Sequence, residues 1–183
     1  MLSHPACLCL ALLALGCDQP TTGPVRLDTG DAPTVEDEDT PAWDSMAVFV
    51  NEFMAYDPPN SDWIEIYNGS DELVSMTGAT LSCDDANEQD PFVFPLDVDV
   101  EPGGFLVVIC DQGEGEGDGA LHAPFRIERH DGTIHLRDQE GVSINSVSYA
   151  YQAQGISAAR IPDGAATWDF VYDPTPGESN VVE

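Results

Sequence analysis

The chain has 183 residues, 34 of them Asp or Glu against five Arg and no Lys, for a formal net charge of −29. A surface this acidic repels phosphate backbones, whose binding depends on Lys and Arg, so nucleic-acid recognition is disfavoured from the start. It attracts cations and keeps the chain soluble by self-repulsion.

The first 17 residues differ from all that follows. CLCLALLALGC (7–17) is a short apolar run ending in a small residue and a cysteine. It is too short to span a bilayer and suits the apolar core of a secretory signal peptide. Leu13-Ala14-Leu15-Gly16-Cys17 resembles a bacterial lipobox, which implies cleavage before Cys17 and lipidation of its thiol. The segment ahead of the apolar run carries no Lys or Arg, a departure from the usual signal peptide. Residues 18–45, DQPTTGPVRLDTGDAPTVEDEDTPAWDS, are rich in Pro, Asp, Glu and Thr, with almost no periodic apolar positions. They read as a disordered acidic tether with a reach of roughly 30 Å.

Residues 46–183 change to short apolar runs separated by Gly, Pro, Asn and Asp. The runs are 46–55, 62–68, 79–83, 105–110, 124–128, 133–138, 142–149, 157–161 and 168–172. Their lengths and their Val, Ile, Phe and Tyr content are those of strands, and the spacing predicts an all-β sandwich of about eight or nine strands. FLVVIC (105–110), apolar throughout, is expected to be a central strand covered on both faces. In VSINSVSY (142–149) the apolar phase slips by one, which predicts a β-bulge near Asn145. Pro102-Gly103-Gly104 reads as a turn, and His130-Asp131-Gly132 as a tight hairpin joining 124–128 to 133–138.

In DWIEIYN (62–68), strand alternation sends Trp63, Glu65 and Tyr67 one way and Asp62, Ile64, Ile66 and Asn68 the other. Asp62 and Glu65 therefore cannot form a catalytic carboxylate pair within this strand. His122, His130 and His135 have no GxSxG serine, HExxH or phosphate-binding loop to work with, so no catalytic residues are assigned.

The ordered set VFVNEFMA (48–55), DWIEIYNGS (62–70), TGATLSCDD (77–85), EPGGFLVVICD (101–111), LHAPFRIERHDGTIHLRDQEG (121–141), SAARIPDG (157–164) with Trp168, and PTPGESN (174–180) resembles the lamin tail domain. This is the immunoglobulin-like module of nuclear lamins and of many bacterial secreted proteins. Ala79 and Ala158 stand where its members commonly have aromatics, which shrinks the core. The resemblance implies a non-catalytic interaction module.

Arg160, beside so many carboxylates, is expected to bind one bidentately, with Glu65 or Glu52 the first candidates. In an exported chain, Cys83 and Cys110 are an even pair, expected to form a disulfide worth about 3.5 kcal/mol. That bond would gather Asp84, Asp85 and Asp111 into a low-affinity Ca²⁺ site. The following Glu114, Glu116, Asp118 and Gly119 echo a calcium loop, although the position due for a bidentate Glu is Phe125. The function expected is a cell-envelope lipoprotein, lipid-anchored to the membrane and facing the periplasm or cell surface. It would present its sandwich for adhesion or scaffolding to an envelope or extracellular protein or glycan. A calcium-dependent ligand or glycan binder is the alternative.

Overall fold

The computed structural model describes residues 35–37, 47–83, 90–115 and 117–180. All of its regular structure is strand: β1 (Val35–Asp37), β2 (Val48–Met54), β3 (Asp62–Asn68), β4 (Val74–Ser75), β5 (Thr80–Cys83), β6 (Phe92–Val93), β7 (Asp99–Val100), β8 (Phe105–Cys110), β9 (Leu121–Ala123), β10 (Gly132–Arg137), β11 (Ser143–Tyr149), β12 (Ser157–Arg160) and β13 (Trp168–Val171). Two sheets, β1-β11-β10-β5-β6 and β13-β12-β2-β3-β8-β9, face each other, and β4 pairs with β7 separately. The expected all-β sandwich is therefore present. The strands beyond eight or nine are pieces of two or three residues. Of residues 1–45, expected to be leader and tether, only Val35–Asp37 is described, and it runs antiparallel to Val147–Tyr149.

One core fills the space between the sheets. Val50, Phe53, Ile64 and Ile66 meet Leu81, Ile134, Leu136 and Val147, all fully buried. Alternation along the strands sets this inner face, and two bulges correct its phase. Val50 opposes Ile66 and Glu52 opposes Glu65, so Asn51 is the extra residue of β2. Because of it, Val50 and Phe53 both point inward. In β11, Leu136 faces Asn145 and Arg137 faces Ser143, so the slip falls on Ile144, beside the predicted position. Val147 and Tyr149 thereby return to the core.

Two expectations are corrected. β8 lies between β3 and the short β9, and its residues Phe105, Val107 and Ile109 stay partly exposed while Val108 and Cys110 are buried. It is covered on one face and half-covered on the other. Residues 124–128 form no strand, and His130-Asp131-Gly132 closes no hairpin. The preceding Leu121–Ala123 pairs parallel with β8, so the chain must then cross from one sheet to the other to begin β10. Phe125 and Ile127 are buried along that crossing. The Ile127 amide donates to the Asp62 carboxylate, 3.2 Å away, in place of a ladder partner. The turn at 102–104 is as expected: Gly104 N donates to Glu101 O at 2.8 Å, and Gly103 has φ of 68°. A Cβ on Gly104 would come within 2.8 Å of that same carbonyl.

Candidate functional site

Asp62 and Glu65 do lie on opposite faces of β3. Asp62 points toward the core, where burial pushes its carboxyl up to about 6 against the opposing hydrogen bond from Ile127. Glu65 points outward, yet it is fully buried, as is Glu52 directly opposite on β2. The cover is the C-terminal loop. Gly177 N donates to Glu65 Oε2 at 2.6 Å and Asn51 Nδ2 donates to Glu65 Oε1 at 3.0 Å. Glu52 accepts from Ser157 Oγ, and Thr175 Oγ1 stands 3.2 Å from its Oε2. Asp163 completes the cluster, accepting from Asn51 Nδ2 (2.9 Å), Asn180 N (3.0 Å) and the Ser179 hydroxyl.

Burial pushes Glu65 up to about 7, with Glu52 and Asp163 raising it further against its two hydrogen bonds. It raises Glu52 in the same direction. A carboxylate pair on adjacent strands is the arrangement a hydrolase would need, but both of these carboxylates are fully buried, with Thr175 and Gly177 bonded to them. The arrangement fastens the loop to the outer face of the sheet.

The expected ion pair between Arg160 and Glu65 is replaced by other contacts. Arg160 alternates with Ala159, which is paired to Glu52, so its side chain leaves the opposite face of β12 and enters the core. There Nε donates to Val50 O (2.8 Å), Nη1 to Ala165 O (2.6 Å) and Nη2 to Asn145 Oδ1 (3.4 Å), while the guanidinium lies 4.7 Å from the Trp168 ring centre. Its fork closes the backbone carbonyls of Val50 in bulged β2 and of Ala165 in the 161–167 turn, and reaches the Asn145 side chain of bulged β11.

Cys83 and Cys110 come from facing sheets and are both buried in the core, but no bond joins their sulfurs. Burial, then the nearby Cys83, Asp62 and Asp111, push the Cys110 thiol well up.

Of the calcium set, Asp84 and Asp85 lie outside the described residues, as do Cys17 and Glu116. Asp111 is buried and fully engaged: Oδ1 accepts from Gly113 N (3.0 Å), and Oδ2 accepts from Gly115 N (3.1 Å) and meets His122 Nδ1 (2.9 Å). His122 Nε2 meets Asp118 Oδ1 at 3.0 Å, so the imidazole bridges two carboxylates. These partners, Asp118 foremost, raise the pKa of His122, and the hydrogen bonds from Ala120 and His122 lower that of Asp118. Glu114 faces Arg126 at 3.9 Å. Gly115 is required because a Cβ there would lie 2.1 Å from His122 Cε1. Among the described residues, no group of three His, Cys, Asp or Glu side chains is placed to hold a metal ion.

His135 takes a hydrogen bond with Ser146 at 3.0 Å, and His130 lies 5.9 Å ring to ring from Tyr151. Three loops meet beside His130: 55–61, 124–131 and 150–156. They are laced by Gln152 N to Arg129 O (2.7 Å) and Gly155 N to Tyr56 O (2.9 Å). Sequence reasoning did not single out Tyr56, Arg129 and Tyr151, which come together only through this lacing.

Residues 42–150 match the family described as Lamin Tail Domain. No curated protein matches the chain. The matched span holds β2 to β11; β12, β13 and the loop that seals Glu52 and Glu65 follow it.

Proposed function

The chain belongs to the lamin tail domain family, and on that premise we propose that it is a non-catalytic envelope lipoprotein, anchored through Cys17, whose immunoglobulin-like domain serves adhesion or scaffolding. The observation that carries the reading is the closure of the Glu52–Glu65 pair. Both carboxylates are fully buried, and their polar partners are supplied by this chain itself. The acid pair is committed to holding the fold, which leaves loops and exposed sheet faces as the surfaces for partners. The acidic, Pro-rich residues between Cys17 and β1 would hold the domain off the membrane.

The test is fractionation of cells expressing the full chain and its Cys17→Ser variant, with metabolic labelling by a fatty acid. The wild type is expected in the membrane fraction carrying label, and the variant in the soluble exported fraction without it. Equal distribution of the two, or label that survives the substitution, would refute the anchor.

A further inference from the structure

We infer that the loop end of the sandwich carries a binding site for a carboxylated saccharide, with Arg129 as the carboxylate receptor and Tyr151 as the platform for the sugar ring. Arg129 lies between two tyrosines, its guanidinium carbon 4.2 Å from the Tyr56 ring centre and 4.8 Å from that of Tyr151. One Nη2 proton goes to the Tyr151 hydroxyl. Its Nε is buried and has no hydrogen-bond partner. Among the described residues no carboxylate stands within ion-pair distance of Arg129, in a chain with 34 Asp and Glu.

Two of the other arginines are already engaged. Arg160 spends its donors on two carbonyls and an amide oxygen, and Arg126 faces Glu114. Among the described residues, Arg129 instead keeps Nη1 and the second Nη2 proton unpartnered, on the edge of a planar fork held by stacking, the form suited to bidentate recognition of a carboxylate. The site is built in advance. All three loops are tied together through backbone hydrogen bonds, and the Gln154 side chain adds a contact of its own, Nε2 donating to Pro58 O at 3.4 Å. Loops gathered at one end of a sandwich are where immunoglobulin-like folds place recognition.

The occupant follows from the surroundings. Tyr151 is half exposed, and His130 beside it is exposed. Aromatic surface next to a guanidinium suits the C–H face of a pyranose ring that bears a carboxylate. The net charge of −29 opposes long polyanions, so the fitting ligand engages through a single uronate. The inference goes beyond the envelope reading and is independent of the lipid on Cys17.

The experiment is an NMR titration of the full chain with methyl glucuronide, methyl glucoside, acetate and a short Glu-containing peptide at matched ionic strength. The expected result is saturable shifts of the Arg129 Nε–H and Tyr151 ring signals with the glucuronide, at least tenfold tighter than with the glucoside or acetate. Arg129→Gln is expected to abolish binding. Tyr151→Ala, a substitution at a half-exposed position, should weaken it at least fivefold while the core methyl spectrum stays unchanged. No saturation by the glucuronide would overturn the proposal. So would acetate binding as tightly, which would leave a bare anion site, or preference for the peptide, which would make the partner a protein.

Discussion

Replacing Glu65 by Gln should flatten the pH dependence of stability. In the folded domain the Glu65 carboxyl is pushed up to about 7 from an ordinary 4.5, first by burial and then by the charges of Glu52 and Asp163. A group with a raised folded pKa binds its proton more tightly in the native state. Its stabilising contribution is therefore complete below the unfolded pKa and is lost as pH rises through the folded one. For a single site with these two values, the loss between pH 5 and pH 8 is about 2–3 kcal/mol. In a domain of this size that corresponds to a fall in Tm on the order of 10 °C. Burial also pushes Asp62 up to about 6, and it raises Glu52, so they slope the same way. The variant isolates the share due to Glu65. It will melt lower than wild type at pH 5, because the glutamine amide cannot accept from both Asn51 and Gly177 as the carboxyl does, yet the gap will close or reverse by pH 8. Urea unfolding at half-unit pH steps measures this. Parallel curves for the two proteins would refute a proton held on this carboxyl, and with it the account of how the acid pair tolerates burial.

Arg160→Lys is expected to cost about 2–4 kcal/mol, since a lysine cannot reproduce the fork that reaches Val50 O, Ala165 O and Asn145 Oδ1. A chemical-denaturation midpoint shifted by less than a quarter of that would show the fork to be dispensable. Gly115→Ala should expel His122 from between Asp111 and Asp118. An NMR titration will then find its imidazole pKa lower than in wild type; an unmoved value contradicts the bridging geometry. Asp111→Asn should lower Tm equally in Ca²⁺, Mg²⁺ and NaCl of matched ionic strength, because its oxygens serve loop amides and His122. A stabilisation of the wild type by Ca²⁺ alone, lost in the variant, would restore the calcium site.

What was legible in the sequence is what a single strand encodes by itself. The alternation in DWIEIYN placed Asp62 and Glu65 on opposite faces, and the phase slip in VSINSVSY located a bulge within a residue of where it lies. What failed depends on pairing between strands. Glu52 lies opposite Glu65 only because Asn51 bulges, a displacement that the smooth apolar run 46–55 does not announce. Arg160 was singled out correctly as a structural cation but assigned to the wrong face, because its side depends on the register of β12 against β2. PFRIE reads as a strand because Phe125 and Ile127 are both buried two apart, yet the Ile127 amide is taken by a carboxylate 65 positions away. The Tyr56–Arg129–Tyr151 stack draws on three loops widely separated in the chain, and no local pattern marks it.

The central claim is that this module works by contact through its surface. It is tested most directly by placing a photoreactive phenylalanine analogue at position 151 of the full chain in cells. The control carries it at position 96, an exposed leucine in the turn between β6 and β7. Irradiation is expected to give a discrete adduct with another molecule from position 151 and none from position 96. The same adduct from both positions, or none from either, would contradict the assignment of the loop end as the working surface.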